Sequence, residues 1–133
     1  MNMTKFNRKK YKRFSFKRIY KSFNYAFCGI KSAFITESSM IVHLFGAIFV
    51  LLCGFYFNIS IIEWLFLILC IGLIFITELI NTSIEYTVDL ISDKYSSLAK
   101  GAKDSASASV LFSAILSSII GLIIFVPKIL ELF

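Results

Sequence analysis

Half of the eight acidic residues in this 133-residue chain, Glu78, Glu85, Asp89 and Asp93, fall within one short interval. Within it Glu78, Asn81, Glu85 and Asp89 succeed one another at steps of three, four and four. At about 100° per residue these four side chains lie within roughly 80° of one another on a helix. The stripe is wholly polar and mostly anionic, and its carboxylates repel each other unless a cation compensates them. A solvated helix face explains Asp89 and Asp93 about as well as a functional site does. It explains Glu78 poorly, because that residue closes an apolar run where ionisation is costly.

Counter-charge stands nearby in Lys94, Lys100 and Lys103, read as a loop after the acidic stripe, with Lys103-Asp104 opening the next span. A donor set of oxygens with no His or Cys favours Mg²⁺ over zinc. A hard metal on few carboxylates beside a lysine suits bound nucleotide phosphates. A carboxylate at the lipid boundary can take a proton from an alcohol. The soluble nucleotide signatures GxxxxGK[ST], GxGxxG and the HRD-type loop do not occur.

The elements that must position this stripe are written in the composition. The chain is 58% hydrophobic with a mean hydropathy of +0.81, against roughly 45–50% apolar in soluble domains. Apolar runs predict membrane spans at about residues 40–57, 61–80 and 106–126, the last stopped by Pro127, each near the roughly 20 residues a bilayer requires. Asn58-Ile59-Ser60 makes a short turn between the first two. Residues 1–14 are basic and expected to be disordered, and residues 15–133 form one domain. From Ser15 to Phe34, apolar residues recur at helical steps beside Lys17, Arg18, Lys21 and Lys31, which predicts an amphipathic helix at the membrane interface. The fold class is therefore all-α.

Ten of the 14 Lys and Arg residues lie between Lys5 and Lys31. Beside apolar spans this block marks the cytoplasmic side rather than a nucleic-acid surface. The N-terminus and the 81–105 connection are expected inside, with the Asn58 turn and the C-terminal tail outside. Cys28, Cys53 and Cys70 are odd in number and far apart, giving neither a disulfide framework nor a zinc site. The serines of the third span and Gly121 give it a small-residue face for close helix packing. His43 in the first span reads as an interfacial or packing residue ahead of a proton relay, and Glu63 beside Trp64 as an interfacial anchor.

The string Glu78-Leu-Ile-Asn81-Thr-Ser-Ile-Glu85-Tyr-Thr-Val-Asp89, followed by Ala99-Lys-Gly-Ala-Lys103-Asp104, resembles the prokaryotic diacylglycerol kinase family. The resemblance covers nearly the whole chain and implies a homotrimeric, integral-membrane lipid kinase of the cell membrane, with its active site on the cytoplasmic side. It implies that Glu78 is the catalytic base and that Glu37 and Glu85 hold the Mg²⁺ carried by ATP. ATP contacts are implied for Arg18, Tyr25, Glu37, Glu85, Asp89, Lys94, Tyr95, Ser96, Lys103 and Asp104. Contacts to the lipid are implied for Arg18, Glu78, Asn81 and Ser107. Many relatives carry His at the position of Ser96. Ile62-Glu63-Trp64-Leu65-Phe66-Leu67, His43 and Phe125-Val126-Pro127-Lys128 resemble the Gram-positive branch, whose members phosphorylate undecaprenol. The expected reaction is therefore Mg-ATP-dependent phosphorylation of undecaprenol, with diacylglycerol as the alternative substrate. A non-enzymatic membrane protein, such as a metal carrier or an assembly factor, is the rival class. A carrier should hold its charges near the bilayer midplane, whereas these stand at its boundary.

Overall fold

The structure, a computed structural model, describes residues 16–91 and 96–132. The expected disorder of residues 1–14, and Asp93, Lys94 and Tyr95, lie outside the described residues. Four helices follow in order: α1 (Phe16–Thr36), α2 (Ser38–Tyr56), α3 (Ile61–Ile91) and α4 (Ser97–Leu130). The last three are each long and apolar enough to cross a membrane. The chain divides into two compact units, Met1–Ser32 and Ala33–Phe133. The first holds most of α1, whose Phe16, Tyr20, Phe23 and Phe27 are exposed.

In the second unit α3 runs antiparallel along α4. A series of polar contacts marks the seam: Asp89 to Lys103, Asn81 to Ser107, Thr77 to Ser113 and the Cys70 carbonyl to Ser117. Small hydroxyl side chains let the two backbones come close and leave no polar group stranded in an apolar surround. Ser107, Ser113 and Ser117 thus serve the expected small-residue face. Ser109 and Ser118 instead bond carbonyls of their own helix, at Ala106 and Ala114.

At the other end Asn58 adopts a left-handed backbone (φ 49°), a conformation Asn tolerates better than most residues. The Ile59 N–H donates to the Gly54 carbonyl at 3.2 Å and the Asn58 N–H to Phe55 at 3.3 Å. This pair of bonds is a Schellman closure of α2. Helix α3 then opens with a capping box: the Ser60 N–H donates to Glu63 Oε2 at 2.7 Å, and the Glu63 N–H to Ser60 Oγ at 3.3 Å. Trp64 packs into the space left by Gly54, where an added Cβ would stand 2.8 Å from the indole. Ile59, Leu67 and Ile124 form the buried cluster beside it.

Two expectations need correction. Lys100 and Lys103 lie on the first turns of α4 rather than in a loop, because the helix begins at Ser97. Pro127 does not stop the third span, which continues to Leu130. A proline costs one N–H donor and crowds the carbonyl one turn back, yet the helix carries on through it, and its final turn is closed by the Glu131 N–H bonding the Pro127 carbonyl at 3.1 Å. Lys128 beyond it reaches Glu63 at 3.4 Å, tying the end of α4 to the start of α3.

Candidate active site at the membrane boundary

Helix α3 runs 31 residues, well past its apolar stretch, so Glu78, Asn81, Glu85 and Asp89 lie on one continuous helix as their spacing requires. Glu78 is only 3% exposed and Asn81 7%. One carboxyl oxygen of Glu78 accepts a hydrogen bond from Ser39 Oγ on the first turn of α2. Asn81 Nδ2 donates to Glu85 Oε1 at 3.0 Å, and Asn81 Oδ1 accepts from Ser107 Oγ of α4 at 3.4 Å. Asn81 is therefore the amide that joins the acidic helix to α4 while orienting Glu85. Among the described residues no buried side-chain nitrogen or oxygen lacks a hydrogen-bond partner.

Further along, Lys103 Nζ lies 2.6 Å from Asp89 Oδ1. The hydrogen bond to Asp89 holds the Lys103 ammonium above its ordinary range, assisted by the negative charges of Asp89 and Glu85 and opposed by partial burial. Lys103 thus stays charged at neutral pH. Asp104 is exposed beside it. Ser96 is the N-cap of α4, in extended backbone, and its hydroxyl makes no capping bond.

Glu37 is the single residue between α1 and α2. It occupies the N-cap of α2 with φ −106° and ψ 112°, yet its carboxylate makes no cap hydrogen bond. An acidic N-cap ordinarily accepts from the N–H groups of the following turn. Here the side chain instead receives Thr36 Oγ1 at 3.3 Å, and that hydroxyl is 2.7 Å from Tyr86 Oη. Glu37 is thereby tied to the turn of α3 that carries Glu85. Among the described residues no group of three or more His, Cys, Asp or Glu gathers as a metal site. Two carboxylates suffice for Mg²⁺, which keeps waters and phosphate oxygens as its other ligands. Arg18 and Tyr25 lie exposed on α1 in the separate first unit, while Lys94 and Tyr95 are outside the described residues.

One turn of α3 deeper than Glu78, a cavity of about 310 Å³ opens among α2, α3 and α4. His43, Gly46, Leu67, Ile74, Phe75 and Ser117 are part of its wall. It had no signal in the sequence, since residues of three helices line it jointly. The Ser39–Glu78 and Thr36–Tyr86 contacts were equally invisible, joining positions 39 and 50 residues apart.

Three helices long and apolar enough to cross a bilayer, one of them carrying a buried carboxylate where its apolar stretch gives way to a polar one, define a membrane protein with an acidic site on α3. The chain belongs to the prokaryotic diacylglycerol kinase family, whose pattern matches residues 24–125. It is 50% identical over 111 residues to the undecaprenol kinase of Bacillus subtilis strain 168, covering 84% of this chain and 90% of that one. It is 37% identical over 112 residues to the diacylglycerol kinase of Synechocystis, across 84% of this chain and 64% of that protein. The Helicobacter pylori 26695 diacylglycerol kinase is 39% identical over 105 residues, or 79% of this chain and 82% of its own.

Proposed function

We propose that this chain is a lipid kinase that moves the γ-phosphate of ATP onto the hydroxyl of a membrane alcohol, with undecaprenol as its substrate. The observation that carries the reading is Glu78, a carboxylate 3% exposed at the end of an apolar span and hydrogen-bonded to Ser39. A group so placed meets a lipid hydroxyl from the bilayer and a phosphate from water. Support for undecaprenol comes from the 50% identity to a protein of that named activity. Diacylglycerol is the second reading, favoured by the relatives at 37% and 39% identity that carry that name.

In this mechanism Glu78 accepts the proton of the lipid hydroxyl, the alcohol oxygen forms a bond to the γ-phosphorus, and the bond from that phosphorus to the β–γ bridging oxygen breaks to release ADP. Phosphoryl transfer demands mainly alignment and neutralisation of charge. Glu37 and Glu85 would hold Mg²⁺, which neutralises charge on the phosphates when bound. Lys103 and Asp104 contact the nucleotide, with the Lys103 charge steadying the phosphates. Asp89 holds that ammonium in place. Ser96 at the α4 N-terminus is a further nucleotide contact in this reading, and the family resemblance adds Arg18, Tyr25, Lys94 and Tyr95 as candidates for the nucleotide and Arg18 for the lipid. Asn81 and Ser107 line the path of the lipid headgroup. The apolar cavity beyond Glu78 suits the hydrocarbon that follows the hydroxyl. The Lys and Arg distribution supports a cell-membrane orientation with the site inside. The extensive exposed apolar surface of the single chain is compatible with a homotrimer whose subunits share the site.

Glu78→Gln keeps the shape and the Ser39 contact but removes the base. It is expected to lower phosphate transfer by about 10²–10⁴-fold with helical content unchanged by circular dichroism. Full activity in the folded variant overturns the assignment of Glu78.

A further inference from the structure

Glu37 interrupts the helical backbone between α1 and α2, and its carboxylate is not used to cap the helix it begins. A short relay from α3 reaches that carboxylate instead. Tyr86 Oη lies 2.7 Å from Thr36 Oγ1, and Thr36 Oγ1 donates to Glu37 Oε1 at 3.3 Å. Either hydroxyl can donate in the first of these bonds, and the Thr36 hydroxyl lies within reach of both Tyr86 and Glu37. Tyr86 directly follows Glu85, so the same turn of α3 carries one carboxylate of the metal pair and the phenol that orients the other. Glu85 is in turn held by Asn81 Nδ2 at 3.0 Å. Two carboxylates on separate helices can clamp one cation only if their separation and directions are held, and each here has a hydrogen bond that does so.

We propose that Tyr86, acting through Thr36, is a positioning residue that sets the Glu37 carboxylate for the metal–nucleotide complex. The inference rests on the reading of Glu37 and Glu85 as the metal pair. Tyr86 touches neither phosphate nor lipid in this scheme; removing its hydroxyl leaves Glu37 present and aims it less well. Tyr86→Phe deletes one oxygen, and Thr36→Val replaces the relay hydroxyl by a methyl of similar size. Thr36→Ser restores the hydroxyl.

The test is binding of Mn²⁺ with a non-hydrolysable ATP analogue to the purified full chain in lipid nanodiscs, followed by the Mn²⁺ electron paramagnetic resonance signal. A hydrogen bond of typical net strength corresponds to roughly fivefold in affinity. Tyr86→Phe and Thr36→Val should each weaken the complex by about that factor, their double variant no further, and Thr36→Ser should bind as the parent does. The KM for Mg-ATP should rise with kcat less affected. Unchanged Mn²⁺–nucleotide affinity in Tyr86→Phe, with or without a lower unfolding temperature, makes the bond merely structural and overturns the proposal. Glu37→Gln separates the two levels. If it abolishes the Mn²⁺ signal while Tyr86→Phe changes nothing, the relay fails and the metal pair stands; if Glu37→Gln changes nothing, the metal pair fails and the relay with it.

Discussion

Glu78 and Glu37 are carboxylates held in places where a carboxylate contributes little to folding. Burying Glu78 to 3% exposure at a membrane boundary is tolerable because Ser39 hydrogen-bonds it and the site is rimmed by polar Asn81 and Thr82. Glu37 stands where Ser, Thr, Asp or Asn would cap α2, and it does not cap. Replacing it by Asn supplies the missing cap, worth about 1 kcal/mol. Glu37→Asn should therefore raise the unfolding temperature in detergent while phosphate transfer falls. A variant that is both less stable and fully active would contradict the functional placement of this residue. At this scale the sequence was informative for α3, whose acidic steps of three and four are a local periodicity. It was silent on Ser39, Thr36 and Tyr86, whose partners lie far along the chain and leave no trace in spacing.

The elements hold the site from both ends. On the acidic side Asp89 and Lys103 fasten α3 to α4. Lys103 has its pKa raised above the ordinary 10.5 in the folded chain, so the stabilising contribution is complete below the unfolded value and is lost as pH climbs through the higher folded one. The difference in unfolding temperature between the parent and Asp89→Asn should stay constant from about pH 7 to 9 and shrink above the ordinary lysine value. A difference that vanishes by pH 8 would refute the pairing. At the other end the Gly54–Trp64 contact admits no Cβ without displacing the indole. Gly54→Ala should cost about 1–3 kcal/mol from overpacking, measured by denaturant unfolding, and Trp64→Phe in the same chain should recover part of it. Helix lengths were less legible than helix existence. The Ala99-Lys-Gly-Ala-Lys103 segment lacks apolar periodicity, which hid a helix start that Ala and Lys favour and α3 steadies. Pro127 signals a stop by its missing N–H, yet less than one further turn follows it and the helix accommodates that turn. The Ser60-x-x-Glu63 capping box was readable as such, and it explains Glu63 better than an interfacial anchor alone.

Across the whole molecule, the buried core is thin and most large apolar side chains face outward. A soluble chain of this size could not sustain that surface, whereas a bilayer makes it ordinary. The three apolar runs were legible because a span needs only length and composition. The cavity among α2, α3 and α4 was not, because it exists only once three helices meet. Glu78 lies between that apolar space and the water-facing Lys103–Asp89 pair, and on the proposed reading it is there that a lipid alcohol and a nucleotide meet. The direct test of this placement is transfer of labelled γ-phosphate from ATP to undecaprenol and to diacylglycerol, side by side, by the purified chain in lipid vesicles. The account predicts labelled undecaprenyl phosphate as the dominant product, with phosphatidic acid slower. Transfer to neither alcohol by folded protein would contradict it, and a clear preference for diacylglycerol would reverse the substrate.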